Sequence, residues 1–474
     1  MYRKEYTETI FRTGSHTSRK SSVKQHEMAA LREMEQMILA AEAVPAGAEA
    51  LERATAHLEQ FLQQVRQKRI LDEKQRAMEA FRQQFENGYT WRNGFLRNVA
   101  RFGDREALIE PESGTVWTYT QLNAEANRFS HALLRAGLQK GDVVMVQLHN
   151  CPEFVFAYLA CHKTGMVFCP VNFRLSAKEI TDCMDNSRPK VFLLEPETQA
   201  EVDMALRRTA HAPQILLTTD ARAAHAYAGF TADCPATEPE LPWELSVYDE
   251  TLRLFTSGTT GRQKSVCLTS INEVLSAHDV MIHFPFSFTD RSMNTTPWFH
   301  RGGLHSGGIT PTLYAGGTVI IQRKFQPEKT LDMVQQYGLT FLIGVPNVLE
   351  LLAEAQQKQP RDLSSLRGIV TMGSPLERAD CIRYQKILTK RIFNGYGTTE
   401  TFWNTFLRPD DLPEMAGSAG RSCVDDDVRV IKVYEDRVAE PDDLAATDGS
   451  EVGEVIIRSN AKSAAFYFGN PAET

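Results

Sequence analysis

The sequence lacks an apolar stretch that is both long enough to span a membrane and free of charge. The best candidate, residues 154–173, contains His162 and Lys163, whereas a spanning helix needs about 20 predominantly apolar residues. The N-terminus also lacks the apolar segment of a secretory signal. These absences predict a soluble protein without a membrane span or a secretory leader.

Paired cysteines of the kind that bind zinc or form redox-active dithiols are missing too. The eight cysteines are scattered without any CxxC pair, which predicts small core residues in a reducing compartment. They are Cys151, Cys161, Cys169, Cys183, Cys234, Cys267, Cys381 and Cys423.

An excess of positive charge is also absent. The chain has 52 Lys and Arg against 60 Asp and Glu, a net charge of −8. This balance gives no general attraction for nucleic acid or an anionic membrane surface, so neither is expected as a partner. A small anionic substrate would need local positive charge.

The first 24 residues are rich in Arg, Lys, Ser and Thr. This composition fits a solvated tail or a transit peptide, and Glu5 and Glu8 argue against the transit peptide. The predicted location is therefore the cytoplasm, with the mitochondrial matrix as the alternative.

The 474 residues, 42% of them hydrophobic, are enough for a sizeable core and more than one domain. Residues 22–84 have helical periodicity, and Pro45 and Gly47 divide them into a predicted hairpin. Its apolar stripe is expected to pack on the main body or on another subunit, which would make a homo-oligomer. The stripe comprises Leu51, Leu58, Leu62, Val65, Ile70, Leu71, Met78, Phe81 and Phe85.

From Tyr89 onward, helices alternate with short apolar strands, which is typical of an α/β fold with largely parallel sheets. Thr120 is predicted to cap a helix that stops at Gly137, Pro152 to begin one that ends at Gly165, and Ser176 to cap a helix over 177–184. Residues 231–243 are predicted to form a surface connection. The predicted strands are 143–148, 166–171, 190–194, 251–255, 318–321, 341–343, 368–372 and 391–393.

Past Gly417 the pattern changes to short strands at 428–433 and 453–458, with acidic turns at 425–427 and 441–443. This pattern predicts a small β-rich subdomain. The predicted organisation is a helical extension at 1–88, an α/β core at 89–416 and the subdomain at 417–474.

A loop rich in Gly, Ser and Thr directly follows the strand at 251–255. Small residues let backbone N–H groups approach an anion, hydroxyls add donors, and the terminal Lys adds a point charge, so a phosphate loop is predicted. The spacing is not that of a Walker A motif, and a flexible strand-to-strand loop is the structural alternative. The residues are Thr256, Ser257, Gly258, Thr259, Thr260, Gly261, Arg262, Gln263 and Lys264.

A second polar segment follows the strand at 391–393, at the edge where open α/β sheets bind ligands. Tyr396 has a flat face for a purine, Thr399 can donate to a phosphate oxygen, and Glu400 can hold Mg2+. Aromatic–Gly turns at strand ends are more often structural. The segment reads Asn394, Gly395, Tyr396, Gly397, Thr398, Thr399, Glu400.

A third segment combines aromatic residues, a His and two glycines. Such a set can form one wall of an apolar pocket, with His300 near its entrance. A lone His beside aromatics is more often a core residue. The segment reads Pro297, Trp298, Phe299, His300, Arg301, Gly302, Gly303.

Together, in this order and spacing, the three segments resemble the acyl-adenylate-forming superfamily, over about Trp91 to the last residue. Gly417-Ser418-Ala419-Gly420-Arg421, Gly453-Glu454-Val455 and Gly469-Asn470-Pro471 look like later segments of that family. Asn150-Cys151-Pro152-Glu153-Phe154, Pro170-Val171-Asn172 and Arg174-Leu175 look most like medium-chain and carnitine-type acyl-CoA ligases.

The resemblance implies two stacked, mostly parallel sheets and gives each segment a role. Residues 256–264 would grip the β- and γ-phosphates through Lys264. Thr399 would contact the α-phosphate, and Glu400 would bind Mg2+. Trp298, Phe299, His300 and Gly303 would border the acyl pocket. Adenine would be framed by Gly373, Ser374, Pro375, Asn394, Gly395 and Tyr396. Gly397 would belong to the same cofactor-binding site.

The sequence also departs from the family's pattern. Ser265 replaces a usual Gly, and Ser422 follows Arg421 where Pro is usual. No Thr-Gly-Asp occurs, so the ribose-binding Asp, the hinge, the small C-terminal domain and its catalytic Lys are expected to be missing. Residues 1–474 are therefore expected to bind nucleotide weakly and to form little acyl-AMP.

The predicted function is that of the large domain of an acyl-CoA synthetase that uses ATP, Mg2+ and coenzyme A. It would activate a carboxylic acid as acyl-AMP and pass the acyl group to CoA. An enzyme that loads a carrier protein is one alternative. A non-catalytic nucleotide- or acyl-binding module is the other.

Overall fold

The computed structural model describes residues 48–257 and 263–474. The chain divides into two compact units, Met1–Gln83 and Gln84–Thr474. None of the described helices is both long and apolar enough to cross a membrane. The predicted tail and the first arm of the predicted hairpin lie outside the described residues.

The described part of the first unit is helical. Helix α1 (Ala48–Gly88) contains 41 residues and runs five residues past the unit boundary. It confirms the helix predicted after Pro45 and Gly47. Apolar side chains of its second half are exposed: Ile70 63%, Leu71 63%, Met78 59% and Phe81 64%.

The second unit alternates helices and strands. Its helices are α2 (Trp91–Phe102), α3 (Tyr119–Arg135), α4 (Pro152–Thr164), α5 (Ala177–Ser187), α6 (Gln199–Leu206), α7 (Tyr227–Thr231), α8 (Ser270–His283), α9 (Arg301–His305), α10 (Ile309–Ala315), α11 (Pro327–Tyr337), α12 (Pro346–Lys358) and α13 (Arg378–Ile387). Its strands are β1 (Glu106–Glu110), β2 (Thr115–Thr118), β3 (Val143–Gln147), β4 (Val167–Pro170), β5 (Val191–Leu194), β6 (Ile215–Thr218), β7 (Glu250–Ser257), β8 (Gln263–Thr269), β9 (Arg291–Asn294), β10 (Thr318–Ile320), β11 (Phe341–Gly344), β12 (Gly368–Met372), β13 (Ile392–Thr398), β14 (Phe402–Leu407), β15 (Arg421–Ser422), β16 (Asp426–Lys432) and β17 (Gly453–Ser459).

Two large sheets carry fifteen of these strands. The six-stranded sheet has the order β6-β5-β3-β4-β7-β8 and is parallel except for the β7–β8 hairpin. The nine-stranded sheet has the order β15-β14-β13-β12-β11-β9-β10-β1-β2 and is parallel from β13 to β1. This topology confirms the predicted α/β fold with mostly parallel sheets.

Local signals explain several helix ends. Helix α4 has Pro152 in its first turn, and Gly165 ends it in the left-handed conformation, as predicted. Ser176 caps α5 in a capping box with Glu179. The prediction for α3 was wrong by two residues, because the cap is Thr118, whose side chain accepts from the Gln121 backbone N–H.

Helix α4 accounts for much of the apolar stretch at 154–173. It is buried along nearly its whole length, including His162 and Lys163. The Lys163 ammonium lies 2.7 Å from Glu238, in the surface connection predicted at 231–243. An interior helix with a paired charge therefore explains the stretch that looked most like a span.

All eight cysteines are unpaired and buried. Desolvation raises the pKa of the thiols of Cys151, Cys161 and Cys183 well above the ordinary range. The buried thiols fit the prediction that the cysteines are small core residues.

Strands β16 and β17 form a separate antiparallel two-stranded sheet. The acidic turn predicted at 425–427 was right only for Asp425, which lies in a turn. Asp426 begins β16, and its buried carboxylate lies 2.8 Å from the Lys462 ammonium. The whole segment 417–474 belongs to the second compact unit, and its separation as a subdomain remains a proposal.

Candidate active site

The proposed adenine-binding residues lie at the carboxyl edge of two neighbouring parallel strands. Met372 of β12 pairs with Gly395 of β13, so residues 373–375 and Tyr396 follow this pair side by side. Residues 373–375 are exposed, and Tyr396 is 40% exposed. Asn394 is buried, and its amide oxygen has no hydrogen-bond partner among the described residues. The structure thus brings the two segments together with an exposed aromatic ring.

Strand β13 is longer than predicted and carries the motif into a hairpin with β14. Its register shifts between Tyr396 and Gly397. A Cβ on Gly397 would lie 1.6 Å from the Phe402 carbonyl oxygen, and Phe402 itself has φ of +62°. The hairpin therefore needs glycine at this position and stores strain at Phe402.

The turn between β13 and β14 presents Thr399 and Glu400, which are both half-buried. The Thr399 carbonyl accepts a hydrogen bond from Arg301 Nη1 at 2.6 Å. The Glu400 carbonyl accepts from the Ala464 N–H, and its Oε1 accepts from the Tyr467 hydroxyl, both at 2.7 Å. Groups from α9 and from the end of the chain thus hold this turn.

The predicted phosphate loop connects β7 and β8, with Thr256 paired to Lys264 and Ser257 to Gln263. Gly258, Thr259, Thr260, Gly261 and Arg262 lie outside the described residues, as does the side chain of Ser257. The hairpin context agrees with a strand-to-strand connection.

Lys264 is turned toward the segment that holds Glu400. Its ammonium pairs with Glu473 and lies 5.4 Å from the centre of the Tyr467 ring. Desolvation and the neighbouring Glu400 carboxylate raise the pKa of Tyr467 to about 12, so its hydroxyl stays a donor at neutral pH. Tyr467 therefore links the first two sequence segments in space.

Tyr467 was not identified from the sequence. It lies two residues before Gly469-Asn470-Pro471, the segment that looks like a later segment of the superfamily. That nearby segment was the sequence signal that could have pointed to Tyr467. These residues, with Phe466 and Thr474, line a cavity of about 420 Å³. Tyr467 also bridges to Val266 of β8, so the end of the chain adds to the sheet edge beside Lys264.

Ser265, the first departure from the family pattern, is buried next to Lys264. Its hydroxyl donates to the Asn186 side chain. The extra polar group is thus satisfied within the protein.

The aromatic segment 297–303 is buried in most of its residues and exposed at His300. Trp298 is 1% exposed, and its backbone N–H donates to Asn150 Oδ1 at 2.9 Å. His300 is exposed, and partial desolvation lowers its pKa, which favours the neutral imidazole. A Cβ on Gly303 would lie 2.1 Å from the Pro297 carbonyl oxygen, so the turn after His300 requires a glycine.

This segment packs against the adenine-side edge through Gly302, where a Cβ would lie 2.9 Å from Met372 Sδ. On its other side, Phe299 meets Phe173 edge to face with ring centres 5.5 Å apart. Phe173 stacks on His149 at 3.8 Å. The proposed acyl-side residues thus adjoin an aromatic row that the sequence did not reveal.

His149 is oriented by a buried carboxylate. Its Nδ1 lies 2.6 Å from Glu195, which also pairs with Arg323 at 2.7 Å. Although desolvation opposes it, the hydrogen bonds with His149 and Arg323 lower the pKa of Glu195. The three residues come from distant parts of the chain, so sequence spacing gave no signal for them.

Asp279, His283 and Cys423 form a buried cluster whose potential ligand atoms lie within 4.8 Å of one another. The Lys462 ammonium lies 3.1 Å from Asp279, and Arg408 contacts His283 Nδ1. The carboxylate is therefore already compensated by protein cations, and the cluster fits a charge network better than a metal centre.

Proteins of known sequence and structure resemble this chain over most of its length. A family described as AMP-binding enzyme matches residues 95–467. Indoleacetate–CoA ligase of Aromatoleum aromaticum is 30% identical over 364 residues, 75% of this chain and 69% of that protein. Feruloyl-CoA synthase of an Amycolatopsis species is 30% identical over 379 residues, 78% of this chain and 71% of that protein. The crystal structure of the N-terminal domain of FACL13 from Mycobacterium tuberculosis matches with a TM-score of 0.71 at 25% identity, covering 81% of this chain and 93% of that one.

Proposed function

Because the chain belongs to the AMP-binding enzyme family, we propose that its site activates a carboxylic acid with ATP and passes the acyl group to coenzyme A. The acid's carboxylate oxygen attacks the α-phosphorus of ATP, and pyrophosphate leaves with the electron pair of the broken P–O bond. The CoA thiolate then attacks the acyl carbon, and AMP leaves. The chain is thereby an AMP-forming acid–thiol ligase.

The arrangement around Tyr467 carries this proposal. Its ring adjoins Lys264 and its hydroxyl bonds Glu400, so a cation and a carboxylate from two segments face the same small region. Phosphoryl transfer needs mainly fixed charges and donors around the phosphates. In this proposal Lys264 binds the β- and γ-phosphates, and Thr399 donates to the α-phosphate.

The residues present also fit Mg2+. Among the described side chains, only that of Tyr467 donates a hydrogen bond to the Glu400 carboxylate. The carboxylate therefore keeps oxygen lone pairs for a hard cation. A bound Mg2+ would neutralise phosphate charge as pyrophosphate departs. Glu400 would hold it against the phosphates.

The acid would lie between the adenine edge and the aromatic segment. Tyr396 stacks on the purine beside residues 373–375, and Trp298, Phe299 and Gly303 border the acyl chain. His300, exposed and favoured in its neutral form, stands beside the reacting carboxylate. Both named ligase relatives act on acids with aromatic rings, so aromatic acids belong in the first substrate panel together with medium-chain and carnitine-like acids.

The test measures AMP release from ATP with each acid of the panel, with and without CoA. Release that requires both the acid and CoA supports the proposal, and Glu400→Gln should reduce it. Titration with an acylsulfamoyl adenosine, a stable mimic of acyl-AMP, measures binding independently of turnover. A chain that binds neither ATP nor this mimic would not be a ligase. AMP release that depends on a carrier protein instead of CoA would identify the other acceptor.

A further inference from the structure

Arg301 is a buried cation at the start of α9, directly after His300. It is 3% exposed, and among the described residues no carboxylate forms an ion pair with its guanidinium. The roles proposed above assign nothing to it. A buried charge without a paired carboxylate is strongly unfavourable in general, so its location calls for an explanation.

Its guanidinium joins two separate segments of the chain. Nη1 donates to the Thr399 carbonyl at 2.6 Å, and Nη2 donates to the Lys462 carbonyl at 2.7 Å and to Ser276 Oγ at 3.3 Å. The guanidinium carbon also lies 5.3 Å from the centre of the Phe402 ring. Arg301 thus contacts both the beginning and the end of the strained turn that presents Glu400.

The electrostatic surroundings keep this group charged. Desolvation lowers the pKa of Arg301 to about 9, opposed by the more distant Glu273, Glu400 and Asp279 carboxylates. The side chain therefore remains a cation at neutral pH. Hydrogen bonds from a charged donor are roughly twice as strong as neutral ones, so the Thr399 carbonyl is held firmly.

The turn needs such an external support. Phe402 adopts φ of +62°, and the backbone at Gly397 and Phe402 approaches too closely for any side chain at Gly397. Such backbone strain persists only where surrounding contacts over-determine it. Lys462 contributes from the same side, since its ammonium donates to the Trp403 carbonyl at 2.6 Å.

We propose that Arg301 is a positioning residue for Mg2+-dependent ATP binding: by gripping the Thr399 carbonyl from inside the protein, it fixes the direction of the Glu400 carboxylate. This inference rests on the proposed function. It predicts that loss of Arg301 changes the response to Mg2+ more than the intrinsic affinity for the nucleotide.

The experiment measures ATP binding by calorimetry across a Mg2+ series and in EDTA, for the unaltered chain, Arg301→Gln and Arg301→Lys. We expect Arg301→Gln to raise the Mg2+ concentration for half-maximal binding by about tenfold or more, because small misplacements of a binding group have large effects. Affinity in EDTA should change less than about twofold, since adenine contacts remain. For Arg301→Lys, which keeps the charge, the Mg2+ concentration for half-maximal binding should lie between those of the unaltered chain and Arg301→Gln.

Arg361→Gln is the matched control. Arg361 is also largely buried at its side chain and donates to a backbone carbonyl, that of Gln359, at 2.6 Å. It lies three residues beyond α12 and also pairs with Asp332 at 2.9 Å. This variant should leave the Mg2+ response unchanged. Circular dichroism confirms that each variant is folded.

The outcomes separate the two proposals. If the unaltered chain binds no Mg2+-ATP, the proposed function fails. If it binds and Arg301→Gln behaves like Arg361→Gln, only the role of Arg301 is overturned. If neither Arg301 variant folds while Arg361→Gln does, Arg301 serves the fold rather than the site, and the inference is overturned as well.

Discussion

Lys264 is the residue on which the phosphate assignment depends most. Lys264→Ala should lower Mg2+-ATP affinity by about tenfold, because a charge-assisted contact to phosphate is lost. Calorimetric titration measures this effect. Because Glu473 pairs with the same ammonium, Glu473→Gln is expected to shift affinity the other way, by freeing Lys264 for phosphate. An affinity within about twofold of the original in Lys264→Ala would remove the basis of the assignment.

Glu273 gives a specific prediction for the pH dependence of stability, because it is a fully buried acid between two histidines. It lies 2.5 Å from His162 Nε2 and 3.4 Å from His305 Nε2. Although desolvation opposes it, these groups lower its pKa to about 2 from the ordinary 4.5. Its stabilising contribution is therefore complete above pH 4.5 and is lost as the pH falls toward 2.

Glu273→Gln should lower the free energy of unfolding by about 3–5 kcal/mol, because one member of a buried charged group is removed. Urea unfolding at neutral pH measures the change. Glu354→Gln, at an exposed position of α12, is the control and should change stability by less than about 0.5 kcal/mol. A similarly small change in Glu273→Gln would be evidence against the charged network.

At the scale of elements, the β13–β14 hairpin determines where the turn that presents Glu400 lies. Gly397→Ala should disrupt it, because the new Cβ would overlap the Phe402 carbonyl oxygen. We expect the variant to lose Mg2+-ATP binding by at least about tenfold while the β3–β5 half remains folded. Hydrogen exchange across 392–407, compared with 143–194, localises the effect. Gly229→Ala, where no atom lies within 4 Å of the added Cβ and φ is not left-handed, is the comparison. Unchanged exchange in the hairpin would contradict the close approach.

Elements whose signals are local were predictable from the sequence. The capping box at Ser176 and the Pro152–Gly165 pair act within a few residues of the helix ends they define. The cap of α3 was misplaced because Thr118 and Thr120 are both plausible caps, and only the bond geometry distinguishes them. The length of β13 depended on its pairing with β14, which a single segment does not reveal.

The site was predictable only in the segments that a motif marks. The sequence predicted that Lys264 binds phosphate and that Glu400 binds Mg2+, and both assignments remain predictions. Arg301 lay inside a marked segment but gave no signal, because its partner Thr399 is 98 residues away. Tyr467 was missed for the same reason, since its partner Glu400 is 67 residues away.

At the scale of the whole molecule, the first unit contains none of the residues proposed to contact ligands. Removing residues 1–83 should therefore leave Mg2+-ATP affinity within about twofold. It should also reduce self-association, because Leu71, Met78 and Phe81 expose apolar surface on α1. Light scattering and calorimetry measure the two effects. The matched variant of the full chain carries Leu71→Ser, Met78→Ser and Phe81→Ser, which remove the same apolar surface without truncation. A folded truncated chain that no longer binds ATP would show that the helices belong to the site.

The alkylation rates of the buried cysteines report how often each part of the chain opens locally. Thiolates are the reactive form of cysteine, and all eight thiols are enclosed, so alkylation must wait until the surrounding structure opens. The labelling rate of each cysteine then measures local opening around that residue. The cysteines sample regions from Cys169 in the six-stranded sheet to Cys423 beside β16. If nucleotide tightens the site, mass spectrometry after a short alkylation pulse should find Cys423 labelled more slowly in Mg2+-ATP, while Cys161 in α4 keeps its rate.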